Sequence, residues 1–234
     1  MREAVRGIGF DLDHTLAIDN RLERVALLHL SELLEAEGGR ATRTLDDEIA
    51  AIDELLHRQR SAELTIDEAV ALFVTERGVP YSDRYATWFR EKSVSMVDDF
   101  VVPLPMVKPT IEALRRRSIE VAVLTNGWNP LQRRKAERAG FSGPVLVSTE
   151  IGERKPSLRA FERLLQTLGT PAAQTWYVGD DPAGDVAGAQ NAGMQGVWIN
   201  WERHEYPADL RPPQLTIERF DQLLELVPEV AQTS

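Results

Sequence analysis

The chain has 234 residues, with 27 Lys plus Arg against 37 Asp plus Glu, a formal net charge of −10 and no cysteine. That balance argues against a nucleic-acid polymer as partner, whose binders present a basic face, and the lack of cysteine excludes disulfides, thiolate metal sites and a cysteine nucleophile. No apolar run is long enough to cross a bilayer, and Met1-Arg2-Glu3 leads into a strand pattern rather than a signal peptide. The expectation is a soluble, cytoplasmic protein without a membrane partner.

The first predicted element is a short apolar strand, Ile8-Gly9-Phe10, which releases Asp11-Leu12-Asp13-His14-Thr15-Leu16 at its carboxyl end. Ligands of open α/β sheets gather at that end of the strands. Two clustered carboxylates repel each other unless a cation sits between them. Taken alone, Asp-Leu-Asp reads equally well as a solvated turn.

Helical spacing follows. Leu22, Ala26, Leu30, Leu33 and Leu34 share one face before Gly38-Gly39, and Leu45, Ile49, Ile52 and Leu56 form a second stripe. Thr65 with Glu68 predicts a capping box opening a third helix, with Ile66, Ala69, Val70 and Phe73 inside; Ser82 opens a fourth that carries Tyr85, Trp88 and Phe89. Around Val101-Val102-Pro103-Leu104-Pro105 the prolines break the pattern, and strands then alternate with helices. A helix over 110–117 precedes the strand Val121–Leu124, and a helix over 131–139 precedes the strand Val145–Val147. A helix over 157–168 precedes the strand Trp176–Val178, and a helix after Asp185 precedes the strand Val197–Ile199. A unit through Phe220 and Leu226 closes the chain, and Ala231–Ser234 reads as a frayed end. This alternation predicts an α/β fold: a Rossmann-like parallel sheet with helices on both faces over 1–16 and 100–234, carrying an inserted α-helical bundle over 17–99.

The later units carry polar residues where strands end or helices begin: Thr125-Asn126-Gly127, Lys155-Pro156, and Gly179-Asp180-Asp181 with Asp185. Singly these are a turn, a surface lysine and helix caps; their joint, ordered occurrence in one parallel sheet is the informative feature. The set Asp11-x-Asp13-x-Thr15, Thr125-Asn126, Lys155-Pro156 and Gly179-Asp180 with Asp185 resembles the four motifs of the haloacid dehalogenase-like hydrolase superfamily. The helical insertion resembles the cap of one large subgroup. That resemblance spans essentially the whole chain.

The resemblance implies a phosphoric monoester hydrolase in which Asp11 is the nucleophile and forms an aspartyl-phosphate, and Asp13 is the general acid and then the base. It implies Mg²⁺ held by Asp11, Asp180 and the backbone carbonyl of Asp13, with Asp185 and, less firmly, Asp181 in support. Thr125, Asn126 and Lys155 would hold the phosphoryl group, with Thr125 and Lys155 counted among the catalytic residues. The expected partner is a small phosphorylated metabolite, of nucleoside 5′-monophosphate, flavin mononucleotide or sugar phosphate type, and the protein is expected to be a monomer or homodimer. The dehalogenases of this fold lack the second aspartate, so Asp13 favours phosphoryl transfer. The alternatives are a sugar phosphomutase and a non-catalytic binding protein on the same fold.

Arg58, Arg60, Trp88 and Trp128 read either as leaving-group contacts or as solvated and core residues, the latter being favoured. His14 reads as a neighbour that packs or meets solvent, and His29, His57 and His204 show no metal-ligand spacing. The basic runs Arg115-Arg116-Arg117 and Arg133-Arg134-Lys135 read as solvated helix faces.

Overall fold

The computed structural model describes residues 4–40 and 44–227; the expectations for Met1–Glu3 and Ala231–Ser234 lie outside the described residues. The chain divides into two compact units, Met1–Asp19 with Val101–Ser234, and Asn20–Phe100.

The first unit contains β1 (Gly7–Phe10), β2 (Ala17–Asp19), β3 (Val101–Pro103), β4 (Glu120–Thr125), β5 (Val145–Val147), β6 (Thr175–Gly179), β7 (Gln195–Ile199) and β8 (Leu215–Ile217). Six of these form one sheet in the order β5-β4-β1-β6-β7-β8, every neighbouring pair parallel. The order departs to one side of β1 and then returns to the other, so β1 lies at a topological switch point between β4 and β6. At such a point the loops leaving adjacent strands diverge and open a crevice. Phe10 is level with Val123 on one side and Val178 on the other, so the residues that follow all three strands emerge together.

The sequence reading missed β8 and the antiparallel β2–β3 ribbon, in which Ala17 faces Pro103 and Asp19 faces Val101. Runs this short carry too few residues for an alternating pattern to stand out. The ribbon belongs to the first unit, whereas the expected boundaries were 16/17 and 99/100. The helix expected after Asp185 starts earlier: a π-helical turn spans Pro182–Ala187 and contains Asp185, and an α-helical turn follows over Gly188–Asn191.

The helix Leu158–Leu168 buries Ala160, Phe161, Leu164 and Leu168, the 3–4 spacing of an amphipathic face. Phe161 meets Tyr177 of β6 edge-on, with ring centroids 5.0 Å apart. Gly9 of β1 lets this layer come close, since a Cβ there would lie 2.4 Å from Leu164 Cδ2 and 2.8 Å from Tyr177 Cδ2.

Among its described residues the elements of the second unit are all helices: Leu22–Ala36, Leu45–Arg60, Ile66–Thr75, Asp83–Ser95 and the short turn Val97–Phe100. The capping box is present, with the Glu68 amide donating to Thr65 Oγ1 at 3.2 Å and the Thr65 amide to Glu68 Oε2 at 2.7 Å. Leu45, counted in the second apolar stripe, is exposed at the helix start. A buried guanidinium ties the bundle: Arg77 pairs with Glu48 and donates to the Phe73 carbonyl at 2.6 Å and to Ser31 Oγ at 3.3 Å. Arg58 is paired with Glu63, Arg60 is exposed and Trp88 is half-buried.

Phe161 is fully buried in the core between the Leu158–Leu168 helix and the sheet, so Phe161→Ala should lower the unfolding free energy by about 3–5 kcal/mol. Urea denaturation of the variant beside the wild type checks this.

Candidate active site

β1 ends at Phe10, and Asp11 continues it by one bond, its amide donating to the Val178 carbonyl at 2.9 Å. The chain then folds into a tight turn in which the amides of Leu16 and Ala17 donate to the Leu12 carbonyl, at 2.9 and 3.2 Å. His14 takes φ 60°, a left-handed conformation uncommon outside glycine. Its ring is stacked parallel to Trp201 at 6.4 Å, and its carbonyl accepts from the Trp201 indole at 2.9 Å. Leu12 and Leu16 are buried beneath the turn, which leaves Asp11 and Asp13 on its working side.

The structure brings Asp11, Lys155, Asp180 and Asp185 together. Lys155 Nζ lies 2.5 Å from Asp11 Oδ1 and 2.7 Å from Asp185 Oδ1. One carboxylate oxygen from each of Asp11, Asp180 and Asp185 lies within 4.8 Å of the others. Thr15 Oγ1 donates to Asp180 Oδ1 at 3.3 Å, and the Trp198 indole donates to the Asp180 carbonyl at 2.9 Å. Asp185, expected to stand behind a metal, thus lies among the possible direct ligands. Gly179 makes room for it, because a Cβ there would fall 2.2 Å from Asp185 Oδ2. Asp181 is not among these converging carboxylates; its side chain caps the π-helical turn by accepting from the Ala183 amide at 2.9 Å.

Thr125 ends β4 and is buried. The Asn126 side chain does not point to a ligand but grips the backbone of Lys155, donating to its carbonyl at 3.1 Å and accepting from its amide at 2.9 Å. It therefore sets the lysine's root. Ser148 Oγ accepts from the Gly127 amide at 3.0 Å and fixes the loop from the β5 side. Trp128 is buried in the core.

Asp13 has its own surroundings. Lys135 lies 3.2 Å from Asp13 Oδ1 and also pairs with Asp19 at the end of β2; Gln132 Nε2 donates to Asp13 Oδ2 at 3.0 Å. Lys135 is only 3% exposed, so the expectation that Arg133-Arg134-Lys135 is a solvated face fails at its last residue. Arg117 departs from its run in the same way, donating to the Leu224 carbonyl at 2.6 Å. Gln132 and Lys135 sit on one buried side of the helix Leu131–Arg138 with Leu131 and Ala136. That spacing was the available signal, masked by the two arginines between them, one exposed and one half-buried.

The family described as haloacid dehalogenase-like hydrolase matches residues 5–193. Pyrimidine 5′-nucleotidase YjjG of Escherichia coli is 28% identical over 140 residues, covering 57% of this chain and 62% of that protein. The chain spans between 40% and 62% of the length of the first curated relatives it matches. Among solved structures, 2-haloacid dehalogenase from Pseudomonas syringae superposes with a TM-score of 0.72 at 26% identity, covering 95% of this chain and 98% of that one. The hydrolase YfnB of Bacillus subtilis, bound to magnesium, superposes with a TM-score of 0.69 at 21% identity over 96% and 99% of the two chains. No helix among the described residues is long and apolar enough to cross a membrane.

Three carboxylates against one ammonium leave the cluster with excess negative charge. Burial, reinforced by the Asp185 and Asp13 charges, overcomes the pull of Lys155 and raises Asp11 to about 7. Burial and the Asp11 charge raise Asp180 to about 7; burial and the Asp180 charge raise Asp185 to about 6. Burial opposes the charge of Lys155, but the Asp11 and Asp185 carboxylates hold its pKa well above that of an ordinary lysine. Asp13 goes the other way: burial would raise it, but the Lys135 charge and the hydrogen bonds from Gln132 and Lys135 bring it below the usual carboxylate value. Converging hard oxygen donors with surplus negative charge fit a divalent cation.

The folded chain holds protons on Asp11, Asp180 and Asp185 above the ordinary value of 3.8, so it binds more protons than the unfolded chain between that value and about 7. Stability from these groups is present at low pH and is lost as the pH rises through the folded values. Thermal melts in chelator should give a lower midpoint at pH 8 than at pH 5, with a smaller drop in Asp180→Asn. A divalent cation should raise the pH 8 midpoint most. A wild-type midpoint that climbs from pH 5 to pH 8 in chelator would contradict this.

Proposed function

Because the chain belongs to the haloacid dehalogenase-like hydrolase family, we propose that it is a Mg²⁺-dependent phosphatase of small phosphomonoesters, working through an aspartyl-phosphate. The observation that carries the reading is the buried Lys155 ammonium on Asp11 and Asp185, with Asp180 converging on the same point. A phosphomonoester dianion repels a carboxylate nucleophile, so the reaction needs positive charge and in-line positioning at the attacked phosphorus.

Asp11 attacks phosphorus. Asp13 gives its proton to the departing ester oxygen, then takes one from the water that opens the aspartyl-phosphate. An arriving dianion raises the proton affinity of Asp13, which Lys135 otherwise keeps ionised. Lys155 and Thr125 hold phosphoryl oxygens, and the backbone amide of Asn126 adds a donor. Asp11, Asp180 and the Asp13 carbonyl would hold Mg²⁺, with Asp185 beside them, and the ion would supply further neutralisation of phosphoryl charge. Similarity to a pyrimidine 5′-nucleotidase supports nucleoside monophosphates as the first class to try, ahead of flavin mononucleotide and sugar phosphates.

Phosphate release from a panel of these esters, with Mg²⁺ and with chelator, tests the reading. Release should require Mg²⁺ and vanish in Asp11→Asn, and Lys155→Met should be slower by about a hundred- to a thousandfold. Turnover that survives chelation or the Asp11→Asn change would overturn it.

A further inference from the structure

We infer that Gln132 and Lys135 are positioning residues for the Asp13 carboxylate, together fixing its plane and linking it to the phosphate-binding loop and to the end of β2. The inference rests on the phosphatase reading above and gives both residues a positioning role that reading does not assign them. Both oxygens of Asp13 are held from one helix face: Oδ1 by Lys135 Nζ at 3.2 Å and Oδ2 by Gln132 Nε2 at 3.0 Å. A carboxylate gripped at both oxygens loses its free rotation about Cβ–Cγ, the freedom that would let a general acid miss the ester oxygen.

Gln132 does more than hold one partner. Its Nε2 is also 2.9 Å from Thr125 Oγ1 and 2.9 Å from the Asn126 carbonyl, and the residue is buried. The group that protonates the leaving oxygen and the loop that holds the transferring phosphoryl are thereby tied to one amide. The neighbours of Nε2 are a carboxylate, a carbonyl and a hydroxyl oxygen, so the amide must present its NH₂ group here. Its Oε1 is left buried without a partner. Leaving an acceptor unmade is unfavourable, and the donors on the other side offset that loss. Lys135 is anchored in turn by Asp19, so the ammonium sits between the acid and the β2–β3 ribbon.

In the first half-reaction the Asp11 oxygen–phosphorus bond forms as the ester P–O bond breaks, and the Asp13 proton passes to the departing oxygen. A phenol leaves poorly without that proton, whereas p-nitrophenol leaves readily as the anion. Misplacing the acid should therefore slow release from phenyl phosphate far more than from p-nitrophenyl phosphate, while a general loss of structure would slow both equally.

The test is the pre-steady-state release of each phenol by the Mg²⁺-loaded full chain. Gln132→Met keeps the side-chain length and removes the donors; Lys135→Met removes the charge; thermal melts confirm folding. Each variant should slow phenyl phosphate by about tenfold to a hundredfold more than it slows p-nitrophenyl phosphate. Asp13→Asn should show the same selectivity, and adding Gln132→Met to Asp13→Asn should widen the difference between the two esters no further. Should Lys135→Met fail to fold, Gln132→Met and its double variant decide the matter alone. Equal loss on both esters, or full additivity with Asp13→Asn, would overturn the positioning role. A wild type that releases neither phenol would instead overturn the phosphatase reading.

Discussion

The arrangement of this chain depends on one electrostatic constraint. Asp11, Asp180 and Asp185 are brought within a few ångströms of one another in a site largely closed to water, against the single buried ammonium of Lys155. Like charges this close are unstable without compensation. Much of the surrounding structure serves to hold them there. The Trp198 indole pins the Asp180 backbone, Asn126 pins the Lys155 backbone, and the missing side chain at Gly179 leaves space for Asp185. The Tyr177 ring lies 5.5 Å from Lys155 Nζ, with its hydroxyl donating to the Leu124 carbonyl at 2.7 Å. The ammonium thus has an aromatic face beside it as well as two carboxylates.

The parallel sheet makes the convergence possible. Asp11, Thr125 and Asp180 come from β1, β4 and β6, which are neighbours in space and far apart in sequence. Lys155 arrives just ahead of the Leu158–Leu168 helix, and Asp185 from the π-helical turn. A π-type turn widens the backbone locally and rotates the side chains it carries. Asp185 consequently reaches the cluster, while Asp181, nearer to β6, is spent on capping.

The fold and the acidic cluster were legible because each functional residue lay where an apolar strand ran out or a helix began. Asp11 after Ile8-Gly9-Phe10 and Asp180 after Trp176–Val178 could be placed without coordinates. Lys135 could not. Two arginines precede it, Arg133 exposed and Arg134 half-buried, and a basic run on an amphipathic helix has the same pattern whether its last member is in water or beneath the sheet's carboxyl edge. Trp201 and His14 meet only because a loop returns after β7, a contact that leaves no periodic trace. Leu45 failed in the opposite sense: helical spacing placed it in an apolar stripe, but at the first turn its face is not covered.

The pairing of β1 also governs the order in which the molecule can be made. Its partners are Glu120–Val123 on one side and Thr175–Val178 on the other, with the whole of Asn20–Phe100 lying between β1 and the first of them. On a ribosome adding about 5–20 residues per second, β1 waits roughly 5–20 s before β4 has been synthesised, and longer for β6. Throughout that interval a strand that is fully buried in the finished sheet has neither edge paired. The Asn20–Phe100 helices, whose contacts are local, can assemble in the meantime. For the nascent chain the hazard is therefore concentrated at its first strand, where the two glycines of Gly-Ile-Gly-Phe, poor formers of extended structure, weaken its tendency to pair with a wrong edge.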